Sequence, residues 1–181
     1  MSPAVPADAP PHAVDVAVRD VRADDLPLLA ALNDAAAPAV NTLGLDGLTA
    51  HVPACDAALV AHAGDEVLGF LLALAPGAHY ASENYRWFSQ HRPGSLYVDR
   101  IVVAPHAHGS GVGRALYAAA DARARALGLA RVTCEVNLDP PNPGSSAFHA
   151  RLGFARVGEL DTKGGTVRVE LLERSLGPGA R

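Results

Sequence analysis

Leu96-Tyr97-Val98-Asp99-Arg100-Ile101-Val102-Val103-Ala104-Pro105 runs into His106-Ala107-His108-Gly109-Ser110-Gly111-Val112-Gly113-Arg114 and on through Leu127. The stretch reads as strand, proline-marked turn, glycine-rich loop and helix, and the reading of the fold starts from it. Tyr97, Asp99, Ile101 and Val103 alternate with Leu96, Val98, Arg100 and Val102, and β-branched residues dominate, as in a buried strand. Pro105 ends it, because proline has no N–H for a ladder. Val112, Ala115, Leu116, Ala119, Ala126 and Leu127 recur at near-helical spacing and predict one apolar face, with Gly128 as the C-terminal stop.

Glycines at a helix start let the backbone approach a ligand without Cβ clashes. The first-turn N–H groups lack partners inside the helix, and the helix dipole puts partial positive charge there, which suits a phosphate. No Asp or Glu fills the first turn, and Arg114 adds a positive charge. The alternative is a merely tight turn. A P-loop is excluded because no Lys follows the glycines. A dinucleotide-binding turn is excluded because Arg114 stands where its third glycine belongs.

Composition bounds the rest. With 181 residues the chain is read as one domain, 49% apolar, with a net charge of −4 that argues against a nucleic-acid-binding surface. A cationic small substrate remains compatible. Cys55 and Cys134 have neither metal nor CxxC spacing. Cys134 lies inside an apolar strand pattern and reads as an inert core thiol rather than a nucleophile. Nothing implies disulfides, so a reducing, cytoplasmic setting is expected. The apolar run Val67 to Ala75 is too short to span a bilayer, and the N-terminus does not read as a signal peptide.

In chain order, residues 1–13 are proline-rich and expected to be disordered, with the domain over 14–176 and a frayed tail at 177–181. Val14 to Val21 predicts a first strand. Asp24 is a candidate N-cap for a helix through Leu28, Leu29, Leu32 and Ala36, stopped by Pro38. A short helix is expected over Leu45 to Val52, then a hairpin of Ala57–Ala63 and Glu66–Ala75 around Gly64-Asp65, on which His62 packs. Pro76 to Ser95 reads as a long loop carrying Tyr80, Tyr85, Trp87 and Phe88. Loops of that length in compact domains are usually functional. Its rings either pin it to the core or line a pocket able to hold an apolar group or a cationic amine. Ala130–Val136 predicts a strand, Asn137–Gly144 a loop, Ser145–Leu152 a helix, and Ala155–Leu160 with Thr166–Glu173 a last hairpin. The order β α α β β β α β α β β means an α/β mixed sheet.

Val103, Pro105, Gly109, Gly111 and Gly113 fit the pattern V-x-P-x-x-(Q/R)-G-x-G-x-G, which resembles motif A of the GNAT superfamily of N-acetyltransferases, with His108 at the Gln/Arg position. Asn142, Ser145, His149, Gly153 and Phe154 resemble that superfamily's N-x-x-A-x-x-x-Y-x-x-x-G-F signature, with Ser145 for Ala and His149 for Tyr. The NYRWF segment together with VDRIVV is similar to a branch of predicted acetyltransferases, which offers no substrate. The resemblance implies a mixed, mostly antiparallel central sheet with splayed parallel central strands and helices on both faces. It implies acetyl-CoA as cofactor. Ile101, Val102 and Val103 would pair their backbone with its pantetheine. His108, Gly109, Ser110, Gly111, Val112, Gly113 and Arg114 would wrap its pyrophosphate, and Asn142 would touch its arm. Many members are dimers, so a homodimer is a further expectation.

Acyl transfer to an amine needs a neutral amine, a stabilised thioester oxygen and a protonated leaving thiolate. The resemblance puts a general base at Asp99, acting through water, oxyanion stabilisation at the Val103 N–H, and a general acid at His149. A histidine's reference pKa of about 6.5 suits that work; the alternative is that His149 only packs. Tyr97 and Tyr117 are fallback donors. Side chains of adjacent strand residues face opposite sides, so Asp99 and Arg100 are not expected to pair. His106 and His108 have metal-like spacing but no carboxylate nearby in the sequence to complete a set, so no metal is expected. His12, His51, His79 and His91 read as isolated. Specificity is expected in Ala35–Asn41 and Tyr80–Phe88, with Asn33, Asn41, Tyr80, Tyr85 and Trp87 as substrate-binding residues. The expected activity is acetyl transfer to a primary amine of a small molecule or peptide, by direct attack. The alternatives are a non-catalytic acyl-CoA sensor on the same fold and transfer from a longer acyl-CoA.

Overall fold

In the computed structural model, which describes residues 15–177, one seven-stranded sheet runs in the order β1-β2-β3-β4-β5-β7-β6. The elements are β1 (Ala17–Asp20), α1 (Leu26–Ala35), α2 (Gly44–His51), β2 (Ala57–Ala63), β3 (Glu66–Leu74), α3 (Glu83–His91), β4 (Ser95–Val103), α4 (Val112–Ala126), β5 (Arg131–Asp139), α5 (Pro143–Arg151), β6 (Ala155–Thr162) and β7 (Val167–Ser175). Every neighbouring pair is antiparallel except β4–β5. The N-terminal segment 1–13 and the tail beyond 177 lie outside the described residues.

The face carrying Leu96 and Val98 packs on Val112, Leu116, Tyr117, Ala120 and Ala124 of α4. The other face packs on Leu29 and Ala30 of α1, Leu48 of α2, and Tyr85 and Phe88 of α3. On α4 the apolar row continues through i, i+4 positions Leu116, Ala120 and Ala124, which turns Ala126 and Leu127 outward, against the predicted face. Leu28 of α1 is likewise exposed. Gly128 takes φ +72°, as a C-terminal stop requires.

Other expectations are corrected. Pro76–Ser95 is not a loop throughout. Ser82 Oγ accepts the Tyr85 N–H and caps α3, whose Tyr85 and Phe88 point inward. Near α1 the capping group is Asp25, not Asp24: its Oδ2 accepts the Arg22 N–H at 2.7 Å and the Arg19 guanidinium at 2.6 Å. β5 runs on through Asn137 to Asp139 because β7 keeps pairing with it.

The strand β4 does not alternate uniformly. Arg100 pairs with Leu72 and Val98 with Ala73, so Asp99 is an extra residue, a β-bulge. Side-chain parity flips there. Leu96 and Val98 share the α4 face with Ile101 and Val103, whereas Tyr97, Arg100 and Val102 share the opposite one.

Candidate active site

The parallel strands β4 and β5 pair only over Ser95–Tyr97 and Arg131–Thr133. Beyond that they part, and β5 is held by β7 alone. A cleft of about 310 Å³ opens between Val98–Ile101 and Cys134–Asn137, with Tyr80–Asn84, Pro38–Asn41, Tyr117, His149 and Thr162–Lys163 around it.

Backbone groups facing this split follow from ladder geometry. The Ala104 N–H bonds to the Leu68 carbonyl of β3, so Val102, two residues back, also faces β3, while Ile101 and Val103 face the split. Val102 is therefore unsuited to the backbone-pairing role expected of it. The Val103 carbonyl accepts His108 Nε2–H at 3.0 Å, which leaves its N–H as the free group. His108 thus anchors the loop to the end of β4.

The glycine loop lies on the exposed surface at the start of α4. Gly109 and Gly111 take φ of +80° and +91°, conformations L side chains rarely adopt, and a Cβ on either would meet nothing within 4 Å. Ser110 Oγ–H closes the turn on the Ala107 carbonyl at 2.6 Å. No acidic residue stands in the first turn, and Arg114 is exposed beside it. The first-turn N–H groups at Val112 and after remain open to an anion. Gly113 has a different reason. A Cβ there would lie 2.7 Å from Cζ of Phe148, so it serves the packing of α4 on α5 rather than a ligand.

Asp99 is surrounded. It accepts Tyr80 O–H at 2.6 Å, Arg100 Nε–H at 2.7 Å and His51 Nε2–H at 3.1 Å. The Asp99–Arg100 pair contradicts the expectation from strand alternation, and the bulge is the reason: both side chains now serve one face. Burial would raise the Asp99 carboxyl, but the His51 hydrogen bond, the Arg100 charge and the Tyr80 hydroxyl outweigh it and hold it below the ordinary carboxylate range. That makes Asp99 a weak proton acceptor. Arg100, buried, continues to Asn33 Oδ1 at 2.9 Å. Asn33 is itself fully buried and donates to the Asn41 carbonyl, so it braces the α1–α2 connection instead of contacting a substrate.

Glu135 was not singled out from the sequence. It lies on β5 across the split from Asp99. Its Oε1 accepts Tyr97 O–H at 3.0 Å, while its buried Oε2 takes no hydrogen bond from the described residues. Burial, then the nearby Asp99 charge, pushes its carboxyl up to about 8. Asn84 of α3 also lines the cleft with a buried, unpartnered Oδ1.

His149 is buried, with Nδ1 2.8 Å from the Ser145 carbonyl and Nε2 2.8 Å from Tyr117 Oη. A carbonyl can only accept, so Nδ1 carries the proton and Nε2 accepts the Tyr117 O–H. Burial pushes the imidazole below its ordinary pKa, which keeps it neutral. Burial likewise keeps the Tyr117 hydroxyl protonated. His149 has no proton facing the cleft to give; the proton shared between the two side chains belongs to the Tyr117 hydroxyl.

The remaining expected residues separate. Tyr80 and Asn41 line the cleft. Tyr85 is buried and donates to the Ala75 carbonyl at 2.8 Å; it pins α3. Trp87 stacks on His91 with centroids 4.4 Å apart and covers Gly158, away from the cleft. Asn142 spends its Oδ1 on capping α5 through the Ser145 N–H, though it borders the cleft. His106 has a carboxylate nearby after all, Glu66 at 2.9 Å, but the pair is exposed and among the described residues no group of three metal-ligating side chains forms. Cys134 is buried and its thiol is pushed up by burial, as an inert core residue should be. Among the described residues no helix is long and apolar enough to cross a membrane.

A family model described as the acetyltransferase (GNAT) family matches residues 27–154. The chain is 42% identical over 96 residues to a mycothiol acetyltransferase of Salinispora arenicola, covering 50% of this chain and 30% of that protein. It thus spans less than a third of that relative's length. Among solved structures, Ard1 from Thermoplasma volcanium superposes with a TM-score of 0.70 at 15% identity, covering 90% of this chain and 98% of that one. An acetyltransferase from Salmonella typhimurium, solved with its cofactor acetyl-CoA, superposes with a TM-score of 0.66 at 19% identity, covering 92% and 96%. These two likenesses show the fold.

Proposed function

This chain belongs to the acetyltransferase (GNAT) family, and we propose that it transfers the acetyl group of acetyl-CoA to a primary amine by direct attack. The observation that carries the reading is a buried carboxylate oxygen, Glu135 Oε2, left without a partner at the bottom of the strand split.

The chain's residues fit the cofactor. Open N–H groups at the start of α4, beside turns that only glycines make easily, suit a diphosphate. The split-facing polar groups of Ile101 and the Val103 N–H suit an extended amide arm. Bound acetyl-CoA would supply an acyl group activated as a thioester. The Val103 N–H is the donor for a developing oxyanion. Asp99, charged and fully engaged, positions Tyr80 and His51 on the wall of the cleft. Glu135 Oε2 takes the proton of the incoming ammonium, leaving a neutral amine. Its pKa near neutrality suits that transfer. Tyr117 Oη carries a proton on the α4–α5 side, and His149 Nε2 orients it. The acceptor is a small-molecule or peptide amine, and mycothiol-type amines, from the name of the Salinispora relative, form one arm of an acceptor screen. The setting is the cytoplasm, and light scattering reads the expected homodimer.

The experiment is acetyl-CoA turnover against pH with an amine panel, for the wild type, Glu135→Gln and Asp99→Asn. The wild-type kcat/KM rises through about pH 8. Glu135→Gln loses about 100-fold, and Asp99→Asn keeps the rise but moves its midpoint to lower pH, because the Asp99 charge helps raise Glu135. Wild-type rates in Glu135→Gln would remove the base from Glu135. Acetyl-CoA binding without turnover of any amine would favour the sensor.

A further inference from the structure

The same cleft is also lined by an unpaired cation. Lys163 lines the cleft with Asn84 and Glu135. It is the sole lysine in the chain. It stands in the turn between β6 and β7 with φ +53°, the one non-glycine residue at positive φ among the described residues. Glycines follow at Gly164 and Gly165, which adopt such conformations freely, yet this position keeps a long cationic side chain. Its backbone is clamped in place. The Lys163 N–H donates to Glu83 Oε2 of α3 at 2.8 Å, and its carbonyl accepts Thr166 Oγ1–H at 2.8 Å. Strained residues held this way concentrate at functional positions.

The charge inventory of the cleft isolates it. Asp99 and Arg100 neutralise one another. The Glu83 carboxylate accepts the Lys163 N–H and keeps its own charge beside the turn, and His149 is neutral by its hydrogen bonding. That leaves the Lys163 ammonium as a cation lining the cleft with no carboxylate within ion-pair distance among the described residues, and Glu135 Oε2 as a buried oxygen with no hydrogen-bond partner there. A buried unpaired acceptor is costly, and a ligand that supplies donors removes that cost. Asn84 Oδ1 accepts, and Glu135 Oε2 accepts once it is ionised, so together they complement an ammonium. The lysine complements an anion.

We propose that the acceptor is bipolar: its primary ammonium sits against Glu135 and Asn84, and an anionic group of the same small molecule sits against Lys163. The class is an amino acid or an aminoalkyl phosphate. The proposal rests on the acceptor-site reading above, since it places the reacting amine at Glu135. Lys163 is then a specificity residue with no part in the proton transfer.

The test is calorimetric binding in the presence of saturating CoA, using n-butylamine, the ω-amino acid of the same length and the matching aminoalkyl phosphate. The proteins are the full chain, Lys163→Gly and Lys163→Arg. Glycine suits the turn conformation, so Lys163→Gly removes the charge without straining the fold. The wild type binds one or both anionic ligands about tenfold or more tightly than n-butylamine. Lys163→Gly abolishes that preference, and Lys163→Arg keeps most of it. The carboxylate and phosphate arms say which anion is meant. Equal binding of all three ligands, absence of binding by all three, or a preference that survives Lys163→Gly would overturn the proposal. An effect of Lys163→Gly on acetyl-CoA affinity instead of acceptor affinity would overturn it as well. Failure of the parent reading looks different: the anionic ligands bind in a lysine-dependent way, but none is acetylated.

Discussion

Replacing Glu135 by Gln should make this protein more stable at alkaline pH while it destroys turnover. Folded Glu135 titrates near 8, against an ordinary 4.5 for the unfolded chain. Below about pH 4.5 both states hold the proton, and burial of the neutral acid costs little. Between 4.5 and 8 the unfolded chain releases its proton and the folded one keeps it, so stability falls as pH rises. Above 8 both are ionised and the loss levels off. At about 1.4 kcal/mol per pH unit the full span from 4.5 to about 8 amounts to roughly 5 kcal/mol, on the order of half of a typical domain's stability. Gln is nearly isosteric, still accepts from Tyr97, and cannot ionise. The stability difference, Glu135→Gln minus wild type, should therefore grow from near zero at pH 4.5 towards this ceiling by pH 9. Urea unfolding at pH 5, 7 and 9 measures it. Asp99 does not interfere, because its depressed pKa moves stability in the opposite sense and only in acid. Parallel stability curves for the two proteins across this range would refute the claim that Glu135 is buried with an unpartnered oxygen, and with it the base assignment.

Three further outcomes are expected. Gly111→Asp, which places a β-carbon at φ +91° and a negative charge at the helix start, should abolish acetyl-CoA binding by calorimetry; unchanged affinity would remove the diphosphate from this loop. Gly113→Ala should lower stability by about 1–3 kcal/mol through collision with Phe148, and Phe148→Leu in the same chain should restore much of it, as thermal melts would show. Tyr117→Phe should lower kcat by about 10-fold or more while leaving the KM for acetyl-CoA near wild type; a wild-type kcat would return Tyr117 and His149 to a packing role.

The legible parts of this fold were those carried by local signals. Proline, glycine spacing and a 3.6-residue apolar row define β4, the loop and α4 without reference to anything distant. The bulge at Asp99 was hidden because it depends on which residues of β3 lie opposite. With it went the Asp99–Arg100 pair and the side-chain parity of half the strand. The partners of Asp99 come from His51 and Tyr80, remote in sequence, and a lone histidine carries no sign of a contact it makes through folding. Glu135 sits in VTCEV, where a buried strand was evident; that its oxygen is orphaned follows only from where β4 and β5 part. α3 was missed because its aromatic, polar-rich segment looks like a loop, although Ser82 three residues before Tyr85 was a cap signal. Gly113 looked like its neighbours in the motif, but what it avoids is a ring from α5.

A turn that keeps the sole lysine at the mouth of the cleft has a practical consequence. Apart from the α-amine, the chain offers an amine-directed reagent only one address. A fluorophore coupled there would report cleft occupancy from a single position, without any cysteine engineering. The same uniqueness would make any modification of lysine, including acetylation by the protein's own chemistry, visible in an intact-mass spectrum as one discrete increment at this side chain.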